Sequence, residues 1–277
     1  MTSKLKSWNK LSLTAEISIL ENISAYFKDI MLGLEEDNND QWNLFFNSVD
    51  YNKALDILNS LKNSYNFIYK IEKIEYDDWH LKWKDNFHPI IFEKKLIVVP
   101  DWDNNEYNQD YIIKIKPGMA FGTGHHETTF LMIEELLKLK DLDKKILDLG
   151  SGSGILSIVA KKLGFKIIKA IEFDQICEDN IHYNMKINLI DDKDIEISFQ
   201  DARNLDNYDY DIILVNIEKT IIMDLIPLIK VKNSKVILSG ILIDQEEEVY
   251  NKLIKEKFKN ISINKKGEWV CLVADYI

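Results

Sequence analysis

Arginine is almost absent from this chain of 277 residues. Of the 35 basic residues only Arg203 is an arginine, whereas 46 residues are acidic and the formal net charge is -11. Nucleic-acid-binding proteins rely on basic surfaces and on the paired donors of arginine, so we predict no direct nucleic-acid partner. An acidic surface would attract a lysine-rich partner, although it also serves solubility alone.

Cysteine is scarce, and no long apolar run is present. Cys177 and Cys271 form no CxxC pair, which excludes a zinc cage and a disulfide framework, and we predict no metal site. The first residues lack the apolar core of a signal peptide, and no stretch reaches the roughly 18 apolar residues of a membrane span. We therefore expect a cytoplasmic protein without a membrane partner. We also expect it to be a monomer.

Proline and glycine are also few, at 4 and 10 residues. Hydrophobic residues make up 46% of the chain and charged residues 29%, which is the usage of an ordinary globular protein. Disordered, collagen-like and coiled-coil chains are thereby excluded. The length predicts about two domains.

The first part of the chain predicts a small α+β domain over residues 1–76. Strands are predicted at Trp8–Thr14, Trp42–Phe46 and Phe67–Ile74, and helices at Ile17–Ile30 and Tyr51–Leu61. The acidic, asparagine-rich segment Glu35–Asp40 predicts a solvated loop between two of these elements.

Residues 77–100 predict a linker between this domain and a larger one over residues 101–277. Trp79 and Trp83 are four positions apart and indicate a short helix over Asp77–Phe87, which Pro89 ends. Ile90–Val99 has the pattern of a hairpin.

From Lys145 onward strands and helices alternate strictly. Strands are predicted at Lys145–Leu149, Ile167–Glu172, Ile195–Gln200, Asp211–Asn216 and Lys235–Ser239, with helices at Ile155–Leu163, Gln175–Ile187, Thr220–Ile229 and Asp244–Glu256. The early strands are continuous apolar runs, which is typical of parallel strands buried on both faces. Phe258–Lys265 and Trp269–Tyr276 have hairpin spacing. The fold class is therefore α/β, a doubly wound sheet that finishes in an antiparallel pair.

The sharpest functional signal is the segment Asp148–Leu156, which reads DLGSGSGIL. A strand ends at a carboxylate, glycines let the backbone approach a ligand, and a helix begins with its free N–H groups facing the site. The dinucleotide fingerprint GxGxxG requires glycine where Ile155 stands. The spacing here is GxGxG, which favours a cofactor without phosphates, and a purely structural turn remains the alternative.

Two further acids follow neighbouring strands. Glu172 ends the next strand, where it could accept the hydroxyls of a ribose, and Asp201 follows the third strand, where it could accept from an adenine amine. Together with Asp148 these acids predict a nucleoside pocket. Its negative charge suits a cation such as the sulfonium of S-adenosylmethionine.

The segment Asp148–Leu156 resembles the first motif of the class I S-adenosylmethionine-dependent methyltransferases, whose Rossmann-like seven-stranded sheet also ends in an antiparallel hairpin. Trp79–Pro89, Pro117–Thr129 and Gly267–Trp269 are similar to segments of the bacterial lysine methyltransferases of large-subunit ribosomal protein eleven. The resemblance runs from about Asp77 to the C-terminus, and before that only the layout agrees.

The chain departs from this family at three places. The family usually has aspartate where Glu172 stands, and it usually reads THPTT where residues 125–129 read HHETT. Directly after the positions of Asn216 and Ile217, the family usually has an apolar residue where this chain has Glu218.

The resemblance implies S-adenosylmethionine as the cofactor and lysine or N-terminal amines of ribosomal protein eleven as the acceptors. The cofactor contacts that it implies are Thr129, Gly150, Gly152, Glu172 and Asn216, and Phe121 could wall the pocket. At a strand end, an asparagine oxygen can accept an N–H of the incoming amine and aim its lone pair, so we predict Asn216 as the catalytic residue. A turn residue is the alternative there, and we interpret His125 and His126 as loop structure.

Two other functions stay open. One is a methyltransferase of the same fold that acts on another protein lysine or on a small amine, and the other is a non-catalytic ribosome-assembly factor. The appended domain over residues 1–76 favours a protein substrate, which we predict it to recognise. The intact glycine motif, Glu172 and Asn216 favour an enzyme.

Overall fold

The computed structural model describes residues 7–38, 41–62, 64–75, 87–117, 122, 124 and 126–277. The chain divides into two compact units, Met1–Phe87 and His88–Ile277. The helix predicted around Trp79 and Trp83 lies outside the described residues. The division into residues 1–76, 77–100 and 101–277 stays a prediction. In the described part of the chain no helix is both long and apolar enough to cross a membrane.

The first unit is a four-stranded antiparallel sheet with two helices. Its elements are β1 (Ser7–Thr14), α1 (Ile17–Ala25), β2 (Met31–Asn38), β3 (Gln41–Asn47), α2 (Tyr51–Leu61) and β4 (Ile68–Glu75), and the strand order is β2-β3-β1-β4. Alternate residues of β1 and β3, among them Leu11, Leu13, Leu44 and Phe46, are buried in one core with residues of both helices. This alternation is what a sheet covered on one face requires.

Two predictions in this unit are wrong. The helix α1 ends at Ala25 rather than Ile30. Phe27 and Ile30 lie in the turns after the helix and are buried there, so their apolar spacing does not require a longer helix. Strand β2 occupies most of the predicted loop Glu35–Asp40, of which residues 39 and 40 are not described. Pairing of Glu35 with Asn43 on β3 outweighs its low strand propensity, since an edge strand can leave acidic side chains in water.

The second unit begins with a three-stranded sheet made of β5 (Ile90–Phe92), β6 (Leu96–Pro100) and β7 (Tyr111–Ile115). β5 and β6 pair antiparallel, as the predicted hairpin requires. β7 pairs parallel with β6 and has no counterpart among the sequence predictions.

Two buried asparagines cover the free edge of β7. The side chain of Asn188 accepts from Lys114 N at 2.9 Å and donates to Lys114 O at 2.6 Å. Asn184 accepts from Lys116 N at 2.8 Å and donates to Ser153 O at 2.9 Å. Their amides thus satisfy backbone groups of β7 and of Lys116, which follows it, and Asn184 ties this segment to the glycine-rich loop.

The seven-stranded sheet follows. Its strands are β8 (Ile146–Leu149), β9 (Ile168–Glu172), β10 (Glu196–Phe199), β11 (Ile212–Asn216), β12 (Ser234–Leu242), β13 (Lys259–Lys266) and β14 (Trp269–Tyr276). The α-helices described in this unit are α3 (Glu127–Lys138), α4 (Ile155–Leu163), α5 (Glu178–Ile187), α6 (Lys219–Leu225) and α7 (Glu246–Lys255). The strand order is β10-β9-β8-β11-β12-β14-β13, with five parallel strands and an antiparallel end. The predicted fold class is confirmed.

The strand order reverses between β8 and β11, and this switch point positions the site. Apolar side chains of the central strands enter two cores, one on each face: Ile146 and Leu214 pack in the first, and Leu147 and Val215 in the second. In such sheets the crevice beyond the carboxyl ends of the strands binds ligands. Polar residues at those ends are therefore candidates for function.

Candidate active site

A cavity of about 650 Å³ opens at the carboxyl ends of the parallel strands, a size typical of small-molecule sites. It is lined by His126, Thr128, Gly150, Gly152, Ile171, Glu172, Phe173, Asp174, Cys177, Asp201, Ala202, Arg203, Asn216, Ile217, Glu218, Ile221, Gly240 and Trp269.

The glycine-rich loop between β8 and α4 forms one wall of the cavity. Gly150 N and Ser151 N donate to Ile171 O on β9 at 2.8 and 3.0 Å, and Gly154 N donates to Ser151 O at 2.8 Å. These bonds fix the loop before any ligand is bound. Ser151 Oγ is buried and has no hydrogen-bond partner among the described residues.

The carboxylate of Glu172, the last residue of β9, holds the same loop at a second point. Its Oε2 accepts from Gly152 N at 2.7 Å, and its Oε1 accepts from Phe173 N and Asp174 N at 2.9 and 3.0 Å. A carboxylate has about four acceptor positions, so one stays open toward the cavity. Glu172 therefore shapes the loop in addition to the role that the sequence predicts for it.

Asp148 lies behind the loop and is fully buried. Its Oδ2 accepts from Ser157 Oγ at 2.7 Å, while Oδ1 has no partner among the described residues. Burial raises the pKa of the Asp148 carboxyl from 3.8 to about 6; the Ser157 hydrogen bond opposes this rise and the charge of Glu172 adds to it. This acid joins the end of β8 to α4 through Ser157 and does not line the cavity.

The raised pKa of Asp148 predicts a pH-dependent stability. The folded protein holds this proton up to about pH 6, whereas the unfolded chain releases it near pH 3.8, so ionisation of Asp148 destabilises the fold as pH rises through this window. Two pKa units correspond to about 3 kcal/mol. In urea unfolding, the free energy of unfolding of the Asp148→Asn variant minus that of wild type should therefore rise by about 2 to 3 kcal/mol between pH 4 and 7. Asp206→Asn, at an exposed position, should show no such trend, and an equally flat difference for Asp148→Asn would refute the assignment.

Asp201 is committed to the single arginine. Arg203 Nη2 lies 2.7 Å from Asp201 Oδ2, Arg203 Nε lies 3.0 Å from Oδ1, and Arg203 N also donates to Oδ1 at 2.9 Å. Arg203 Nη1 reaches Asp224 at 3.2 Å. Because most acceptor positions of Asp201 are used in this way, its carboxylate is less available to an adenine amine than the sequence suggests. The pair remains on the cavity wall.

Asn216 ends β11 and is 7% exposed. Its Nδ2 lies 3.5 Å from Thr129 Oγ1, and its Oδ1 has no hydrogen-bond partner among the described residues. Thr129 is fully buried and does not line the cavity, so it contacts the site through Asn216. A buried acceptor without a donor is costly, which makes Asn216 Oδ1 a candidate for binding a ligand N–H.

His126 and Trp269 line the cavity, although sequence reasoning assigned neither to the site. His126 is the N-cap of α3, where its Nδ1 accepts from Thr128 N at 3.3 Å. Its ring meets the Trp269 ring edge-on, with centroids 4.8 Å apart. The available signals were that His126 lies in the family-like segment Pro117–Thr129 and Trp269 in Gly267–Trp269. Phe121 and His125 lie outside the described residues.

The charge of the cavity is negative. Glu172, Asp174, Asp201 and Glu218 line it against Arg203 alone among the described residues. Among the described residues, no group of three or more histidine, cysteine, aspartate or glutamate side chains is placed to bind a metal ion.

Comparison with known proteins identifies relatives along almost the whole chain. A family model described as ribosomal protein L11 methyltransferase (PrmA) matches residues 6–276. A ribosomal protein L11 methyltransferase of Prochlorococcus marinus strain MIT 9515 is 33% identical over 307 aligned positions, which cover 99% of both chains.

Two further relatives match over a shorter length. A ribosomal protein L11 methyltransferase of Clostridium perfringens is 35% identical over 207 residues, 73% of this chain and 66% of that protein, so the match spans just under two thirds of the relative. The crystal structure of ribosomal protein L11 methylase from Lactobacillus delbrueckii subsp. bulgaricus has a TM-score of 0.63 and 29% identity, and covers 68% of this chain and 98% of that one.

Proposed function

The chain belongs to the ribosomal protein L11 methyltransferase family, and we propose that it transfers methyl groups from S-adenosylmethionine to lysine or N-terminal amines of ribosomal protein L11. The observation that carries this proposal is the arrangement around the cavity. A glycine-rich loop, an acid at the next strand end and a buried asparagine with a free acceptor atom face one space of about 650 Å³.

The residues present fit S-adenosylmethionine. Glu172 keeps one acceptor position for a ribose hydroxyl, and the negative lining suits a sulfonium. Phe173, at 75% exposure, offers an apolar surface to a base beside Glu172. The loop has the GxGxG spacing, which speaks against a pyrophosphate cofactor.

When bound, S-adenosylmethionine supplies an electrophilic methyl group. Asn216 Oδ1 accepts an N–H of the acceptor amine and directs the nitrogen lone pair toward that methyl group. The amine must be neutral to attack, and a lysine has a pKa near 10.4 in water. Ile217, Ile221 and Trp269 are apolar residues of the lining. Desolvation against them lowers the pKa of an amine, and this effect opposes the acids of the lining, which raise it.

The protein acceptor is supported by the first unit and by the overall charge. None of the described residues of the first unit lines the cavity, and the net charge of -11 suits a lysine-rich partner. We propose that this unit docks ribosomal protein L11.

The direct test is transfer of a labelled methyl group. Purified protein is incubated with labelled S-adenosylmethionine and a mixture of ribosomal proteins, and the labelled band is analysed by mass spectrometry. Label on the amines of ribosomal protein L11 is expected. Label on another protein would reassign the acceptor, and absence of any label would refute the proposed activity.

Replacement of Glu172 by alanine should weaken S-adenosylmethionine binding by about 1 to 3 kcal/mol, or about 5- to 150-fold, because it leaves a ribose hydroxyl and three backbone N–H groups without their acceptor. Titration calorimetry measures the change. Glu247→Ala, at an exposed position on α7, is the charge-matched control and should bind as wild type does. An unchanged affinity for Glu172→Ala would place the ribose elsewhere.

A further inference from the structure

A β-bulge on β12 lies directly beside the segment that carries Asn216. In the pairing of β12 with β14, Leu238 faces Leu272 and Ile241 faces Val270, so Ser239 and Gly240 together oppose Cys271. In the parallel pairing with β11, Ser239 is the partner of Asn216. The bulge therefore places Gly240 next to Ile217.

Gly240 is in close contact with the backbone of Ile217. Its φ is +87°, and a Cβ built on it would overlap the carbonyl oxygen of Ile217 and lie 2.7 and 3.0 Å from its carbonyl carbon and nitrogen. Only glycine permits this approach, because any side chain would displace the peptide that follows Asn216. The backbone of the bulge thus limits movement of the Ile217 backbone on one side.

Gly150 of the glycine-rich loop meets the side chain of the same residue. Its φ is +77°, and a Cβ built on it would overlap the Cγ2 methyl of Ile217, with Cβ of Ile217 at 3.8 Å. This methyl group is the branch at Cβ, which isoleucine and valine carry and leucine lacks. Ile217 is therefore clamped between Gly150 and Gly240, and the three residues line the same cavity.

The glycine-rich loop and the side chain of Asn216 are held differently. The glycine-rich loop is fixed by hydrogen bonds to Ile171 O and Glu172. The side chain of Asn216, in contrast, has one long contact of 3.5 Å to Thr129 and an acceptor atom without a partner among the described residues. The backbone of Asn216 is paired with Ser239 on β12, so loosening the clamp would change the position of the Asn216 side chain and leave the loop in place.

We propose that Ile217 is a positioning residue for methyl transfer: its Cγ2 methyl against Gly150 and its peptide against Gly240 fix Asn216 relative to the glycine-rich loop. This inference rests on the proposed function, because it gives Ile217 a purpose only if Asn216 aligns the acceptor amine. An angstrom of displacement at a reacting group can cost about 100-fold in rate.

Two conservative variants separate this role from general packing. Ile217→Leu keeps the side-chain volume and removes the branch at Cβ, whereas Ile217→Val keeps the branch and loses one methyl group. If Ile217 positions Asn216, turnover at saturating cofactor and acceptor falls about 10- to 100-fold in the leucine variant and about 2-fold or less in the valine variant. The cofactor dissociation constant, measured by titration calorimetry, should change little in either. A packing role predicts the reverse order, since the valine variant loses more buried volume.

A second readout needs neither cofactor nor acceptor. The side-chain amide signals of Asn216 are assigned in the nitrogen–proton spectrum by their absence from Asn216→Ala. They should shift or broaden in Ile217→Leu and stay in place in Ile217→Val. Unmoved signals with full turnover in the leucine variant would overturn the inference while wild-type activity upholds the proposed function. Lack of methylation by the wild type would refute the proposed function itself, and the spectra alone would then decide whether the clamp holds Asn216.

Discussion

Replacement of Asn216 by alanine should lower turnover at saturating S-adenosylmethionine by about 100-fold, with a much smaller change in cofactor affinity. The side chain is 7% exposed, and its Oδ1 atom has no partner among the described residues. Alanine removes the acceptor that we propose to orient the amine, while the glycine-rich loop and Glu172 remain. Steady-state methylation of ribosomal protein L11 gives the turnover, and titration calorimetry gives the affinity.

Asn251→Ala is the control for this experiment, because Asn251 is exposed on α7 and does not line the cavity. It should behave as wild type in both assays. Equal losses of turnover and affinity in Asn216→Ala would assign Asn216 to cofactor binding alone. Normal turnover would remove it from the reaction.

Deletion of the first unit should abolish efficient methylation of intact ribosomal protein L11 and leave the cofactor site in place. Among the described residues, those that line the cavity are all His126 or later, so a chain that begins at His88 retains them. Docking raises the effective concentration of the acceptor, and its loss should lower kcat/KM for the intact protein by about 100-fold or more. Circular dichroism first establishes that the shortened chain folds, and calorimetry measures its cofactor affinity.

A short lysine peptide from ribosomal protein L11 provides the matched substrate, since it is too small to use a docking unit. Full-length and shortened proteins should methylate the peptide at similar, low rates. Retained methylation of the intact partner by the shortened chain would remove the docking role. Loss of cofactor binding in a folded shortened chain would show that the second unit alone does not form the pocket.

The elements around the glycine motif are those that local sequence predicts best. The helix after the motif, Ile155–Leu163, and the last strand, Trp269–Tyr276, have the predicted bounds, because apolar runs bounded by turns leave few alternatives. The strand over residues 31–38 and the parallel strand over residues 111–115 were missed. Both depend on pairing with strands elsewhere in the chain, which no local pattern records.

The same limit applies to the site. Gly150, Glu172 and Asn216 could be predicted because each stands at a recognisable strand end. The contact of His126 with Trp269 joins residues 143 positions apart, so only the folded chain brings it together. The pairing of Asp201 with Arg203 could have been predicted, because the two residues are two positions apart. Asp201 was interpreted as a ligand-binding acid instead, because it follows a strand.

The two asparagines that cover the edge of β7 also bear on self-association. An edge strand exposes backbone donors and acceptors on which a strand of another molecule can add. Asn188 occupies both groups of Lys114, and Asn184 occupies the N–H of Lys116, so this edge offers no template at those positions. Deamidation of Asn188 to aspartate would place a carboxylate oxygen against the carbonyl of Lys114 and leave that carbonyl without its donor, whereas Asn184 would still occupy the N–H of Lys116. Protection of this edge against strand addition therefore depends on the chemical survival of two buried side-chain amides.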